Sequence, residues 1–148
     1  VRTIVIRPAV VYGRGGGMPA MLTQSAREAG AARYVGDGQS RWAFVNVDDL
    51  AQLYVLALEK APAGTLYNAA QGPSYHIGEV AEAASIGAGA KGKTQAIPLE
   101  EARKTMGVFA DALVLDQQVS GEKAKKELGW SPRAPSLLDD LKTGSYAH

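Results

Sequence analysis

Cysteine is absent from the sequence, which excludes disulfides and thiolate metal sites; the two histidines, His76 and His148, stand too far apart to suggest a zinc cluster. Neither sign of charge dominates. With 16 Lys+Arg against 15 Asp+Glu, the formal net charge of +1 provides no general pull toward nucleic acid or anionic lipid. No apolar run approaches the roughly 20 residues that span a bilayer. These absences predict a soluble cytoplasmic protein with neither a nucleic-acid nor a membrane partner.

What is present is a chain of 148 residues with 46% hydrophobic content, enough for one compact core. It opens at Val1 inside a β-branched run, VRTIVIR, which reads as a buried strand over Arg2 to Arg7. Proteins seldom start inside a core strand, so the chain is expected to be the C-terminal part of a longer protein. The run is apolar enough for a parallel sheet covered on both faces, with strand partners supplied from upstream.

Helical periodicity and breakers predict helices over Met18 to Ala29, from Asp48 along VDDLAQLYVLALEK, and over Gly78 to Ile86. Further helices are expected at Leu99 to Met106, Phe109 to Gln118, the GEKAKKELGW segment capped by Ser120, and SLLDDLKTG. Strands are expected at Trp42 to Val47, TLYNAA and Thr94 to Pro98, with a turn at Gly36, Asp37 and Gly38. Strands alternating with helices imply an α/β domain. The lysines of GEKAKKELGW read as a solvated helix face.

Four glycines, Gly13, Gly15, Gly16 and Gly17, follow the first strand and precede a helix. A helix N-terminus can hold phosphate, but neither phosphate-binding spacing is complete. The GxGxxG frame meets Met18 where its third glycine belongs, and no Lys follows as a GxxxxGK loop requires. The alternative is a mobile strand-to-helix connection.

RPAVVYG, GDGQSRWAFVNVDDLAQLYVLALEK, TLYNAA and ELGWSP, in this order and spacing, resemble the C-terminal half of extended short-chain dehydrogenase/reductases, the NAD-dependent epimerase/dehydratase family. The resemblance implies a doubly wound, Rossmann-like fold. About residues 1–72 would form the second half of that domain, and about 73–148 mostly a substrate-binding region. It also implies NAD or NADP as cofactor and hydride transfer at a carbinol or ketone carbon, with a nucleotide sugar among the possible substrates. The family's catalytic YxxxK pair is absent, since none of the six tyrosines has Lys four residues on. No catalytic residue is therefore assigned, and the chain alone is expected to be inactive. The alternative for the parent is a non-catalytic NAD(P)-sensing protein of the same fold.

By resemblance, Pro8, Ala9, Val10 and Val11 lie beside the nicotinamide, and Tyr12, Met18, Arg41 and Trp42 face the substrate. Sugar-nucleotide members often carry an arginine near Arg41 that pairs with substrate phosphates. A one-residue offset reverses a strand side chain's face, so Trp42 is either an aromatic pocket wall or core packing. Asp48 and Asp49 read as a helix cap and a loop anchor, His76 as structural, and Arg7 as one half of a salt bridge. The exposed edge of the first strand predicts a homodimer or similar association.

Overall fold

The computed structural model describes residues 1–148. Strand β1 (Ile4–Pro8) runs parallel to β6 (Thr65–Ala69), with Ile4 opposite Thr65 and Pro8 opposite Ala69. At Ala9 the chain steps sideways into β2 (Val10–Tyr12), which is parallel to β5 (Phe44–Asn46). Parallel neighbours need a crossover, and α2 (Val47–Lys60) supplies it between β5 and β6. Its apolar stripe meets both strand pairs in a core containing Val45, Leu50, Leu53, Tyr67 and Trp130.

The first strand thus finds one partner inside the chain, where the sequence reading expected all of them upstream. It is also less buried than expected. Ile4 and Ile6 are half-buried, but Val5 and Arg7 face outward, so Arg7 needs no buried ionic partner. The outer edge of β1 has no strand beside it.

A second layer joins α1 (Met18–Ala29), α3 (Ile77–Gly87) and α7 (Leu137–Thr143) to the parallel pair β3 (Ala32–Val35) and β8 (Thr94–Ile97). Segments before and after residue 73 therefore share one sheet. The turn at Gly36 to Gly38 is present, but its flanking strands do not pair with each other. β4 (Arg41–Trp42) pairs antiparallel with β7 (Tyr75–His76) instead. Tyr12, Trp42, Phe44, Val80, Leu137 and Leu141 fill the core between these elements. No helix is long and apolar enough to cross a membrane.

Two helix boundaries differ from expectation for identifiable reasons. Helix α4 (Leu99–Met106) matches, but α5 (Phe109–Leu113) stops before Gln118. Beyond it, Gln117 donates its amide to Arg41 O at 2.7 Å and accepts from Ala43 N at 3.0 Å, so β4 captures the backbone that would have continued the helix. Helix α2 is capped by Asn46, whose side chain accepts from Asp48 N at 2.8 Å; Asp48 sits in the first turn. Helix α6 (Glu122–Leu128) has Gly121 as its N-cap residue in place of the expected Ser120, which stands one residue earlier and accepts from Glu122 N at 3.3 Å.

The lysines of α6 are not purely solvated. Lys123 Nζ donates to Leu66 O at 3.0 Å and lies 5.1 Å from the Tyr67 ring centre, and Lys125 Nζ donates to Gln71 O at 2.9 Å. They tether α6 to β6 and the segment after it. Gly121 permits this approach, because a Cβ there would collide with the Ala70 backbone.

Candidate functional site

Pro8, at the end of β1, is exposed, and Ala9, Val10 and Val11 are half-buried. Ala9 N donates to Ala69 O at 2.9 Å and Val10 N to Ala43 O at 3.1 Å, while Pro8 has no N–H. The segment can therefore offer a flat ligand its carbonyls and side-chain faces, but not the amides of residues 8 to 10. Such a surface is apolar and poor in free amide donors. It does not fit a pyrophosphate, which needs amide donors.

The glycine segment is clamped rather than mobile. Gly13 N donates to the Tyr146 hydroxyl at 2.8 Å, and that hydroxyl donates to Gly16 O at 2.6 Å. Gly15 N donates to Ser145 Oγ at 2.9 Å, and Gly16 N to Gly13 O at 3.1 Å. Asp140 holds Ser145 in turn, accepting from its amide at 2.6 Å and from its hydroxyl at 3.0 Å. A phosphate would find these donors already engaged. Gly17 has φ 73°, and a Cβ there would lie 2.5 Å from Val11 O, so this position requires glycine on two counts. Asp140, Ser145 and Tyr146 were not singled out in the sequence, because SYAH carries no motif and lies 130 residues from its partners.

Trp42 and Met18 line one cavity of about 340 Å³, enclosed by α1, β3, β4, β5, α3, β8, α4 and α5. Trp42 is 4% exposed and its Nε1–H donates to Leu115 O at 3.2 Å, so the rest of the indole presents an apolar surface. Both readings of this residue hold at once: it packs in the core and walls the cavity. Phe44 continues the wall, with ring centres 6.5 Å from Trp42 and 6.4 Å from Tyr75.

Arg41 and Tyr12 do not join that cavity. Arg41 is held on the opposite side of β4 by Asp116, through the guanidinium at 3.3 Å and the backbone amide at 2.6 Å. These bonds keep the Asp116 carboxyl below the usual carboxylate range. Tyr12, 2% exposed, donates to Pro135 O at 2.6 Å and lies 3.1 Å from Gln71 Oε1. Burial drives its phenol well above the ordinary value of 10.0, against the opposing effect of Gln71. It borders a smaller, more polar cleft of about 270 Å³ with Gln71, Tyr75 and Ser136. Phe44 separates the two spaces and lines both.

The acidic pair is structural, and in a different way from that expected. Asp49 is 3% exposed and its two carboxylate oxygens accept from Arg133 N and Ala134 N, each at 3.0 Å. Its carbonyl accepts from Trp130 Nε1 at 2.8 Å. The VDDLA and LGWSP blocks are thus two halves of one joint. Exposed Asp48 pairs with Arg14 at 2.6 Å. His76 Nδ1 lies 2.7 Å from Gln39 O, while its amide donates to Glu79 at 3.1 Å in a capping box, which leaves the residue a structural role.

Residues 1–70 match the family model described as NAD dependent epimerase/dehydratase family. An uncharacterized protein of Schizosaccharomyces pombe, C2A9.02, is 34% identical over 153 residues, covering 99% of this chain and 50% of its own length. Among solved structures, human epimerase family protein SDR39U1 with NADPH superposes with a TM-score of 0.75 or better, at 0.77, and 26% identity, covering 98% of this chain and 48% of that one. UDP-glucose 4-epimerase of Thermotoga maritima with UDP-glucose gives a TM-score of 0.75 at 26% identity, covering 98% and 45%. The chain spans about half the length of the curated relatives it matches, 50% and 46%. The family pattern over residues 1–70 and the shared α/β fold over nearly the whole length make the chain similar to proteins of the NAD dependent epimerase/dehydratase family.

Proposed function

We propose that this chain forms the substrate side of an NAD(P)-dependent epimerase/dehydratase or reductase, with Pro8 to Val11 as the edge against which a nicotinamide rests. The observation that carries this reading is the sideways step at Ala9. There the chain leaves the β1 and β6 pair and enters the β2 and β5 pair, exposing Pro8 at the carboxyl ends of parallel strands. Ligands of open α/β sheets bind at such ends. Phe44, opposite Val10 in register, continues from this edge to the cavity walled by Trp42 and Met18.

A bound nicotinamide would supply hydride acceptance and donation. The chain's own residues would orient it and exclude water. Pro8 and Ala9 present a flat apolar step, and Tyr146 fixes the backbone that follows. Proton transfer to or from the substrate oxygen needs a group the 148 residues do not present as YxxxK, so the reading requires that group from outside them.

Titration of the protein expressed from its full reading frame with NAD and NADP, read by tryptophan quenching, tests the proposal. Saturable binding is expected, weakened on the order of tenfold by Ala9→Trp with thermal stability monitored in parallel. Absence of saturable binding by either cofactor would sink it. The half-buried Ala9 can also be enlarged only to Val; a well-folded Ala9→Val protein with unchanged affinity would likewise count against the assigned edge.

A further inference from the structure

Resting on the reading above, which leaves the substrate open, the geometry points to a neutral, apolar ketone or alcohol as the occupant of the 340 Å³ cavity, in preference to a phosphate-bearing compound. Its volume lies at the lower end of the range for small-molecule sites, room for one or two fused rings. Leu22, Trp42, Phe44, Ile77, Val80 and Leu113 make the walls, and no carboxylate or lysine is among the lining residues. Met21 and Met106 sit at the exposed rim, where thioether side chains adapt to varied apolar shapes.

The polar atoms of Ser25 and Trp42 are already matched, while the Tyr34 hydroxyl is the neutral polar group of the lining left to meet a ketone or alcohol oxygen. Ser25 Oγ donates to Leu22 O at 2.9 Å and accepts from Arg33 N at 3.0 Å. Trp42 Nε1–H is bound to Leu115 O. Arg33, the one cation of the lining, is exposed and donates to Gln95 Oε1 at 3.1 Å. Arg41, one residue from where the resemblance puts a phosphate-pairing arginine, is held outside the cavity by Asp116. A phosphate seated between these walls would give up its hydration for no more than the exposed Arg33 guanidinium and one phenol, whereas an apolar ring system loses nothing comparable.

Nile red, a neutral apolar dye, tests the site on the purified protein. Saturable fluorescence enhancement is expected, displaced by a compact bicyclic ketone such as camphor and not by excess UDP-glucose. Met21→Glu places a charge at the rim, where Met21 is 65% exposed and the fold has little to lose. It should weaken dye binding on the order of tenfold. Val55→Glu, on an exposed face of α2 outside the cavity, should leave binding unchanged.

Displacement by UDP-glucose, or equal loss in both variants, would overturn the inference. So would dye binding that Met21→Glu does not alter. Failure of cofactor binding with intact, Met21-dependent dye binding would instead overturn the hydride-transfer reading and leave the apolar site standing.

Discussion

Replacing Tyr146 by Phe removes one oxygen and tests whether the C-terminal residues set the glycine segment. The ring is 3% exposed and fills the core around Tyr12 and Leu141, so Phe keeps the packing. What is lost is the pair of bonds to Gly13 N and Gly16 O. Gly16 is exposed and its carbonyl can turn to water, but Gly13 is buried and its N–H is left without a partner. An unsatisfied buried donor costs about 1–3 kcal/mol, so a loss near 2 kcal/mol is expected. For a domain of this size that lowers Tm by roughly 4–8 °C. Urea unfolding gives the free energy, and amide exchange at Gly13 and Gly15 gives the location. A Tyr146→Phe protein with unchanged stability and unchanged protection at Gly13 would refute the clamp.

Asp49→Asn keeps the shape but turns one acceptor into a donor facing Arg133 N or Ala134 N; a loss of about 1–3 kcal/mol is expected in urea unfolding. Gly17→Ala forces a side chain into left-handed backbone and against Val11 O, so calorimetry should show a loss of at least about 1–2 kcal/mol. Ser85 carries a fully buried hydroxyl without a partner, and Ser85→Ala should hold or raise stability, by up to about 1 kcal/mol. Burial raises the phenol pKa of Tyr12, Tyr75 and Tyr146 above 10.0. The folded state therefore keeps protons that the unfolded chain releases, so this contribution is intact below about pH 10 and declines as pH rises through the folded values. Urea midpoints at about pH 8 and about pH 11 should differ in that direction.

Elements with strong local signals were legible in the sequence. The helix from Met18 to Ala29, the strand from Thr65 and the helix from Leu99 all carry their own periodicity and breakers. The end of α5 was not, because Gln117 answers to β4, far away along the chain. Asp48 looked like a cap on residue type alone, yet Asn46 reaches the first-turn amide from the residue before the helix. The largest gap concerns the glycines. The positive φ of Gly13, Gly15 and Gly17 was readable as freedom to turn, but what fixes the segment is a tyrosine and a serine near the other end of the chain. Opposite faces for Arg41 and Trp42 follow from strand alternation, whereas the capture of Arg41 by Asp116 could be seen only in three dimensions.

The most direct measurement is hydrogen exchange of the protein from its full reading frame, with and without saturating NAD or NADP. Added protection at residues 9–12, with the glycine amides of residues 13–17 unchanged, is the result expected if the step from β1 to β2 borders the nicotinamide. Protection confined to Gly13, Gly15 and Gly16, with residues 9–12 unaffected, would contradict the account and return the glycines to gripping phosphate.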